Sequence, residues 1–164
     1  MATASSAGRL FDAVSALCGL CPRASFEGQA PMRLEGAVAR GRAGTYPFTV
    51  TGETGEVTVH WKDMVEGVVS DARQGVPAGT IARRFHDTLA AAVLAAVSRL
   101  AESSGARHVV LSGGVFQNVT LLSAVLSGLR ERKMAPLIHR KVPANDGGIS
   151  LGQAYYAAQR VAGG

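Results

Sequence analysis

Apolar residues recur every three or four positions through most of this chain, and the breaks in that rhythm mark its turns. The clearest run is "AGTIARRFHDTLAAAVLAAVSRLAESSG", where Ile81, Phe85, Leu89, Val93 and Val97 repeat every four residues and predict one long helix. Upstream, "SSAGRLFDAVSALCGL" reads as a helix with Leu10, Val14 and Leu17 on one face and Ser5 or Ser6 as its cap. "QAPMRLEGAVARG" predicts a second helix, with Pro31 tolerable in its first turn. "KDMVEGVVSDARQG" predicts a third, closed by Gly75. Between them the period falls to two. "YPFTV" and "EVTVHW" flank "TGETG", and the alternation of Val57, Val59 and Trp61 predicts a β-hairpin.

Past Gly105 the order becomes strand, glycine loop, helix, strand, loop, helix. "HVVLS" reads as a strand of the buried type, followed by "GGVFQN" and the helix "VTLLSAVLSGLRERK". "APLIH" is a second short strand, and "RKVPANDGG" leads into the last helix, "ISLGQAYYAAQRV". This is an α/β pattern with a mixed, partly parallel sheet and several helices.

At 164 residues the chain is one domain, or a large piece of one, with length enough to bury a core. Its net charge of +5 is spread out, apart from Arg130–Lys133 and His139–Lys141. No basic cluster is interleaved with stacking aromatics, so nucleic acid is not the expected partner. No apolar run is long enough to span a bilayer, and "MATASSAGRLF" lacks the regions of a secretion signal. With only two cysteines, a reducing cytoplasm is the expected location. Those cysteines stand as "CGLC". No second pair exists to complete four zinc ligands, so Cys18 reads as a buried small hydrophobe and Cys21 as a loop thiol.

The candidate chemistry gathers at two glycine turns, each after a strand and before a helix. In open α/β sheets ligands bind at the carboxyl ends of strands, and helix N-termini add free N–H donors. "LSGGVFQN" offers Gly113, Gly114 and the amide of Asn118; it matches neither GxxxxGK[ST] nor GxGxxG. "VPANDGGISLGQA" sets a single carboxylate, Asp146, on a bare turn, where it reads either as a helix cap or as a ligand for a hard cation.

In order along the chain stand "GRLFDAVSALCGL", "SFEGQAPMRLE", "RRFHDTLA", "LSGGVFQN" and "VPANDGGISLGQA". Together they resemble the C-terminal catalytic domain of the hydrogenase-maturation carbamoyltransferases, the HypF family. The resemblance spans almost the whole chain and is weakest in the hairpin. It implies the second lobe of an actin-like, sugar-kinase-like ATPase fold. It implies ATP and carbamoyl-adenylate as cofactors, with transfer of the carbamoyl group to the C-terminal cysteine of a hydrogenase-maturation partner protein. It also implies a divalent metal, zinc or iron.

Relatives of that superfamily carry "GEAFDK", "YPGG", "GGV…N" and "TDN". The resemblance therefore assigns Asp12 to the nucleotide ribose and Gly28 to a close backbone approach, although Glu27 and Gln29 replace the expected neighbours. It assigns Gly113, Gly114 and Asn118 to the nucleotide and Asp146 to the metal. The histidine pair in HxxxH spacing and the upstream modules of those relatives have no counterpart here. The chain is then expected to be a truncation, a gene fragment or one half of a split enzyme, with a further chain as a possible source of the missing lobe.

Other residues read as structural. His86 is expected to pack behind the site; His60, His108 and His139 lie in or beside strands without ligand spacing. Ser112 is expected to have neither a nearby His nor a strained elbow, which argues against a serine hydrolase. Arg83 and Arg84 read as a solvated helix face, Trp61 as a core or rim aromatic. Three alternatives remain open: a tRNA threonylcarbamoyl-transferring relative, a small-molecule O-carbamoyltransferase, and a non-catalytic nucleotide- or partner-binding remnant.

Overall fold

One long helix organises the molecule. In the computed structural model, which describes residues 6–52 and 55–162, helix α4 (Ala78–Ser104) buries Ile81, Phe85 and Leu89 on its predicted stripe and ends on left-handed Gly105. Four helices pack around this stripe. They are α1 (Ala7–Leu17), α2 (Gln29–Gly36), α3 (Lys62–Arg73) and α5 (Val119–Glu131), contributing Phe11, Val14, Leu34, Met64, Val68, Leu121, Val125 and Leu129 to a single core. Phe11, Phe85 and His86 meet edge to face, with ring centroids 4.8–5.6 Å apart.

Two small sheets complete the fold. Strands β1 (Thr49–Thr51) and β2 (Thr58–His60) form the antiparallel hairpin, and the Arg99 guanidinium donates to the Val50 carbonyl to hold it against α4. Strands β3 (His108–Leu111) and β4 (Ala135–Ile138) are parallel and joined through α5, the βαβ unit foreseen from the glycine-loop rhythm. Close packing sets α5 against α4. A Cβ on Gly128 would lie 2.2 Å from a Leu94 methyl, so any side chain there would force Leu94 to move. Helix α6 (Ile149–Ala162) follows the last loop, and Ile149 to Val161 are exposed.

Several expectations need correction. The buried face of α1 is Phe11, Val14 and Ser15, while Leu17 is exposed. Ser5 lies outside the described residues, as do Glu53 and Thr54 of the hairpin turn; Ser6 occupies the cap position without a side-chain bond. The cysteines are reversed. Cys21 is 3% exposed, whereas Cys18 caps the end of α1 half-buried, its thiol pushed up by burial to about 11. Arg83 and Arg84 are half-buried and bonded rather than a free solvated face. They donate to the Ala39 and Ala43 carbonyls and pair with Asp87 and Asp71, so they strap the segment between α2 and β1 to α4. Asp71 also accepts from the Tyr46 hydroxyl at 2.6 Å. Strand β3 is buried on one face only: Leu111 is inside, while Val110 is 67% exposed and Leu137 beside it is 49% exposed.

Candidate functional site

The loops that follow β3 and β4 reach a cleft of about 1410 Å³ through Gly114 and through Asn145 and Asp146. Four segments that are distant in sequence wall it. They are the first turns of α1, the loop from Cys21 to Gly28 with the start of α2, the 3-10 turn Gly114–Gln117, and the Asn145–Asp146 corner. Asp12, Gly28, Gly114, Asn118 and Asp146 all line it. Gly113 stands beside the lining, its N–H bonded to the Ala144 carbonyl at 2.8 Å, which laces the two glycine loops together.

The glycines here are glycines for different reasons. Gly28 (φ +82°) and Gly113 (φ +103°) hold backbone conformations that side-chain-bearing residues avoid. Gly147 and Gly148 have protein atoms about 3.0 Å from where a Cβ would stand, so a side chain there would crowd the turn. Gly114 has neither constraint. Its Cβ would meet only Asn145, at an ordinary 3.8 Å, and would otherwise point into open space. Nothing within the fold requires a bare backbone there, which is the condition for close approach of a ligand.

Asn118 is 8% exposed and committed at both ends of its amide. Its Oδ1 accepts from the Leu121 N–H at 2.8 Å and caps α5. Its Nδ2 lies 2.9 Å from His86 Nε2. The other imidazole nitrogen, Nδ1, is 2.7 Å from the Ala82 carbonyl, which can only accept. His86 is therefore the Nδ1–H tautomer and receives the Asn118 N–H at Nε2. Burial holds its pKa below the usual histidine range, against the opposing pull of the Ala82 carbonyl. The next amide of the same helix, Thr120 N–H, donates to Glu35 Oε1 of α2 at 2.9 Å. The N-terminal donors expected to be free for a ligand are thus partly consumed by Asn118 and Glu35.

Asp146 begins a 3-10 turn, and the capping role is filled by its neighbour: Asn145 Oδ1 accepts from Gly147 N–H at 3.1 Å. The Asp146 carboxylate is exposed at the cleft with no capping duty. Among the described residues no group of three His, Cys, Asp or Glu could hold a metal ion. Asp146 has the chemistry of one hard-cation ligand, and the described residues bring no second and third donor beside it. Asp12 lies 3.6 Å from Arg9 across one turn of α1, an exposed pair of small energetic weight.

Two features escaped the sequence. Glu35 sits alone in a short helix with no spacing to mark it. Ser112 and His139, the residues just past the ends of adjacent strands, come within 2.9 Å of each other although 27 residues separate them; the expectation that Ser112 has no histidine nearby is corrected.

Comparison with known proteins places this geometry. Residues 1–153 match the family model described as carbamoyltransferase, Kae1-like domain, second subdomain. The carbamoyltransferase HypF of Rhizobium leguminosarum is 40% identical over 158 residues, covering 94% of this chain and 20% of that protein. The HypF of a Synechocystis species is 33% identical over 150 residues, covering 91% of this chain and 19% of that one. Among solved structures, full-length HypF in a phosphate- and nucleotide-bound form superposes with a TM-score of 0.88 at 35% identity, covering 96% of this chain and 21% of that one. The HypF of T. kodakarensis gives 0.81 at 28% identity, covering 97% and 20%. The chain thus spans about a fifth of the length of these relatives.

Proposed function

The chain belongs to the HypF carbamoyltransferases, as the second subdomain of their Kae1-like domain, and from that premise we propose that its cleft is the adenylate-binding half of a carbamoyl-transfer site. The observation that carries this is Gly114. It is a glycine with no structural need to be one, on the wall of a cleft that gathers Asp12, Gly28, Asn118 and Asp146.

In the proposed reaction the sulfur of a C-terminal cysteine on a hydrogenase-maturation partner attacks the carbamoyl carbon of carbamoyl-adenylate. A C–S bond forms, the bond from that carbon to the phosphate oxygen breaks, AMP departs with the electron pair, and the thiol proton is released. This chain's part is to hold the adenylate. Gly28 and Gly114 admit the nucleoside to the backbone, and Asp12 accepts from ribose hydroxyls. The Asn118 bonds to His86 and Leu121, and the Thr120 N–H donated to Glu35, hold the start of α5 behind the Gly114 turn. Asp146 would supply one oxygen to a zinc or iron ion, which as a Lewis acid would polarise the reacting group; its remaining ligands come from outside this chain.

The rest of the site comes from further protein, either the same polypeptide or a second chain. The open face of β3 and β4 supports this: Val110 and Leu137 lie bare there, and α6 exposes Leu151, Tyr155 and Tyr156. The test combines this chain with the remaining HypF segments and follows a labelled carbamoyl group from carbamoyl phosphate and ATP to a cysteine-ended peptide. Gly114→Val should abolish transfer with the melting temperature kept. Transfer unaffected by Gly114→Val refutes the adenylate site. Transfer to small-molecule hydroxyls, or to threonine on tRNA, in place of the peptide would move the assignment to the corresponding relatives. No transfer by the wild-type assembly would leave a binding remnant.

A further inference from the structure

Three helices of this chain end in the same motif, and one of them breaks its usual residue rule. Helices α1 and α3 close on left-handed glycines, Gly19 (φ +71°) and Gly75 (φ +74°). The following N–H groups, of Leu20 and Val76, reach back to the Ser15 and Asp71 carbonyls. Helix α5 closes with the same bonds: Lys133 N–H to the Arg130 carbonyl at 2.9 Å and Met134 N–H to the Leu129 carbonyl at 3.0 Å. Its left-handed residue is Lys133 (φ +57°), the one residue other than glycine with positive φ among the described residues. A β-carbon is disfavoured in that conformation. The backbone suits a glycine there, and the chain carries a cation instead.

Lys133 has cationic neighbours. Arg130 and Arg132 stand in the same turn, and the Ala135 N–H donates to the Arg107 carbonyl at 2.8 Å, which sets Arg107 and His108 beside that turn. All five residues are exposed. Arg132 donates back to the Gly128 carbonyl at 2.9 Å, an ordinary duty for a cation at a helix C-terminus. Among the described residues, Arg107, Arg130 and Lys133 form no ion pair. Glu131, the acid in their midst, accepts from Ser127 Oγ one turn back along α5. Like charges so gathered repel one another and favour an opposite charge from outside. The patch lies at the amino ends of β3 and β4, whereas the loops that reach the cleft follow their carboxyl ends. It holds no aromatic side chain to stack on a base or to enter a bilayer interface.

We propose that Arg107, Arg130, Arg132 and Lys133 form a docking surface for an acidic segment of a partner protein. The guanidinium groups take carboxylates in directed pairs, and Lys133 adds charge at the point where the helix stops. The inference is independent of the adenylate reading, since none of these residues lines the cleft.

The test follows backbone amides of the full chain by nuclear magnetic resonance while poly-L-glutamate is added. The salt is held at about 150 mM, where the screening length is about 8 Å and isolated exposed charges attract little. The amides of Arg107, Arg130, Arg132 and Lys133 should shift, and those of the other exposed basic run, His139–Lys141, should stay. Lys133→Gly should weaken the polymer about two- to fivefold, the scale of one exposed ion pair. The same variant should melt roughly 2–4 °C higher, because the left-handed backbone is relieved. Arg130→Glu combined with Lys133→Glu should abolish binding. Duplex DNA and phosphatidylserine vesicles, in the same salt, should bind more weakly than the polymer. Shifts of equal size at His139–Lys141, unchanged affinity in Lys133→Gly, or tighter binding of DNA or vesicles would overturn the proposal. A Lys133→Gly chain that melts lower would also overturn it, since the lysine would then be held for contacts within the fold.

Discussion

Removing the Asn118 side chain should unfold the site from behind. In Asn118→Ala two buried bonds vanish together: the cap on Leu121 N–H and the donation to His86 Nε2, 2.8 and 2.9 Å long. Loss of an N-cap costs about 1 kcal/mol. Stranding the buried His86 acceptor adds about 1–3 kcal/mol. The expected loss is then about 2–4 kcal/mol, a fall in melting temperature of roughly 6–12 °C for a domain of this size. Asn118→Asp separates the two terms. It keeps the cap, and its carboxylate favours the helix N-terminus, but it has no N–H for His86. It should therefore be less stable than wild type at pH 8, and that deficit should shrink at pH 5, where a protonated His86 can donate to the new carboxylate. Urea denaturation of the three proteins at both pH values is the assay. An Asn118→Ala chain within about 0.5 kcal/mol of wild type, the range of an ordinary surface change, would refute the network. A variant that kept stability and lost only nucleotide would return Asn118 to direct ligand contact.

Further outcomes follow from the same geometry. His86 is buried neutral with a lowered pKa, so below about 6.5 the unfolded chain binds a proton that the folded chain refuses. Stability should fall as pH drops through that value, by up to about 1.4 kcal/mol per pH unit, and His86→Gln should flatten that dependence; a wild-type curve no steeper than the variant's would contradict the assignment. Gly128→Ala drives a methyl into Leu94 and should cost about 1–3 kcal/mol in chemical denaturation, whereas Gly114→Ala should leave the midpoint unmoved. The chain on its own should neither retain zinc or iron through gel filtration, as measured by elemental analysis, nor carbamoylate a cysteine-ended peptide at rates near those of a full-length relative; retention of one equivalent of metal would show a complete donor set.

The helices were legible because each buries a stripe with a period near 3.6, and α4 keeps Ile81, Phe85 and Leu89 where that period puts them. The hairpin and the βαβ unit were legible from a change of period and from glycine placement. What stayed hidden depends on partners far along the chain. Arg83 looks like any helix-surface cation until Ala39 arrives opposite it. Cys21 is buried by a turn that periodicity does not describe. β3 reads as a strand covered on both faces, yet Val110 on one of them is 67% exposed, and the period of a strand does not say which face a helix will cover. At the site, Asp146 was separable from the capping role only once Asn145 was seen to fill it. The Ser112–His139 pair required the register of two strands, which no single segment encodes.

The most direct test of the proposed adenylate site is a crystal structure of this chain grown with AMP at high concentration. Electron density for the nucleoside should lie between Gly28 and Gly114, with ribose hydroxyls at Asp12. A cleft that stays empty while the nucleotide occupies another surface, or a nucleoside bound without touching Gly114, would contradict it.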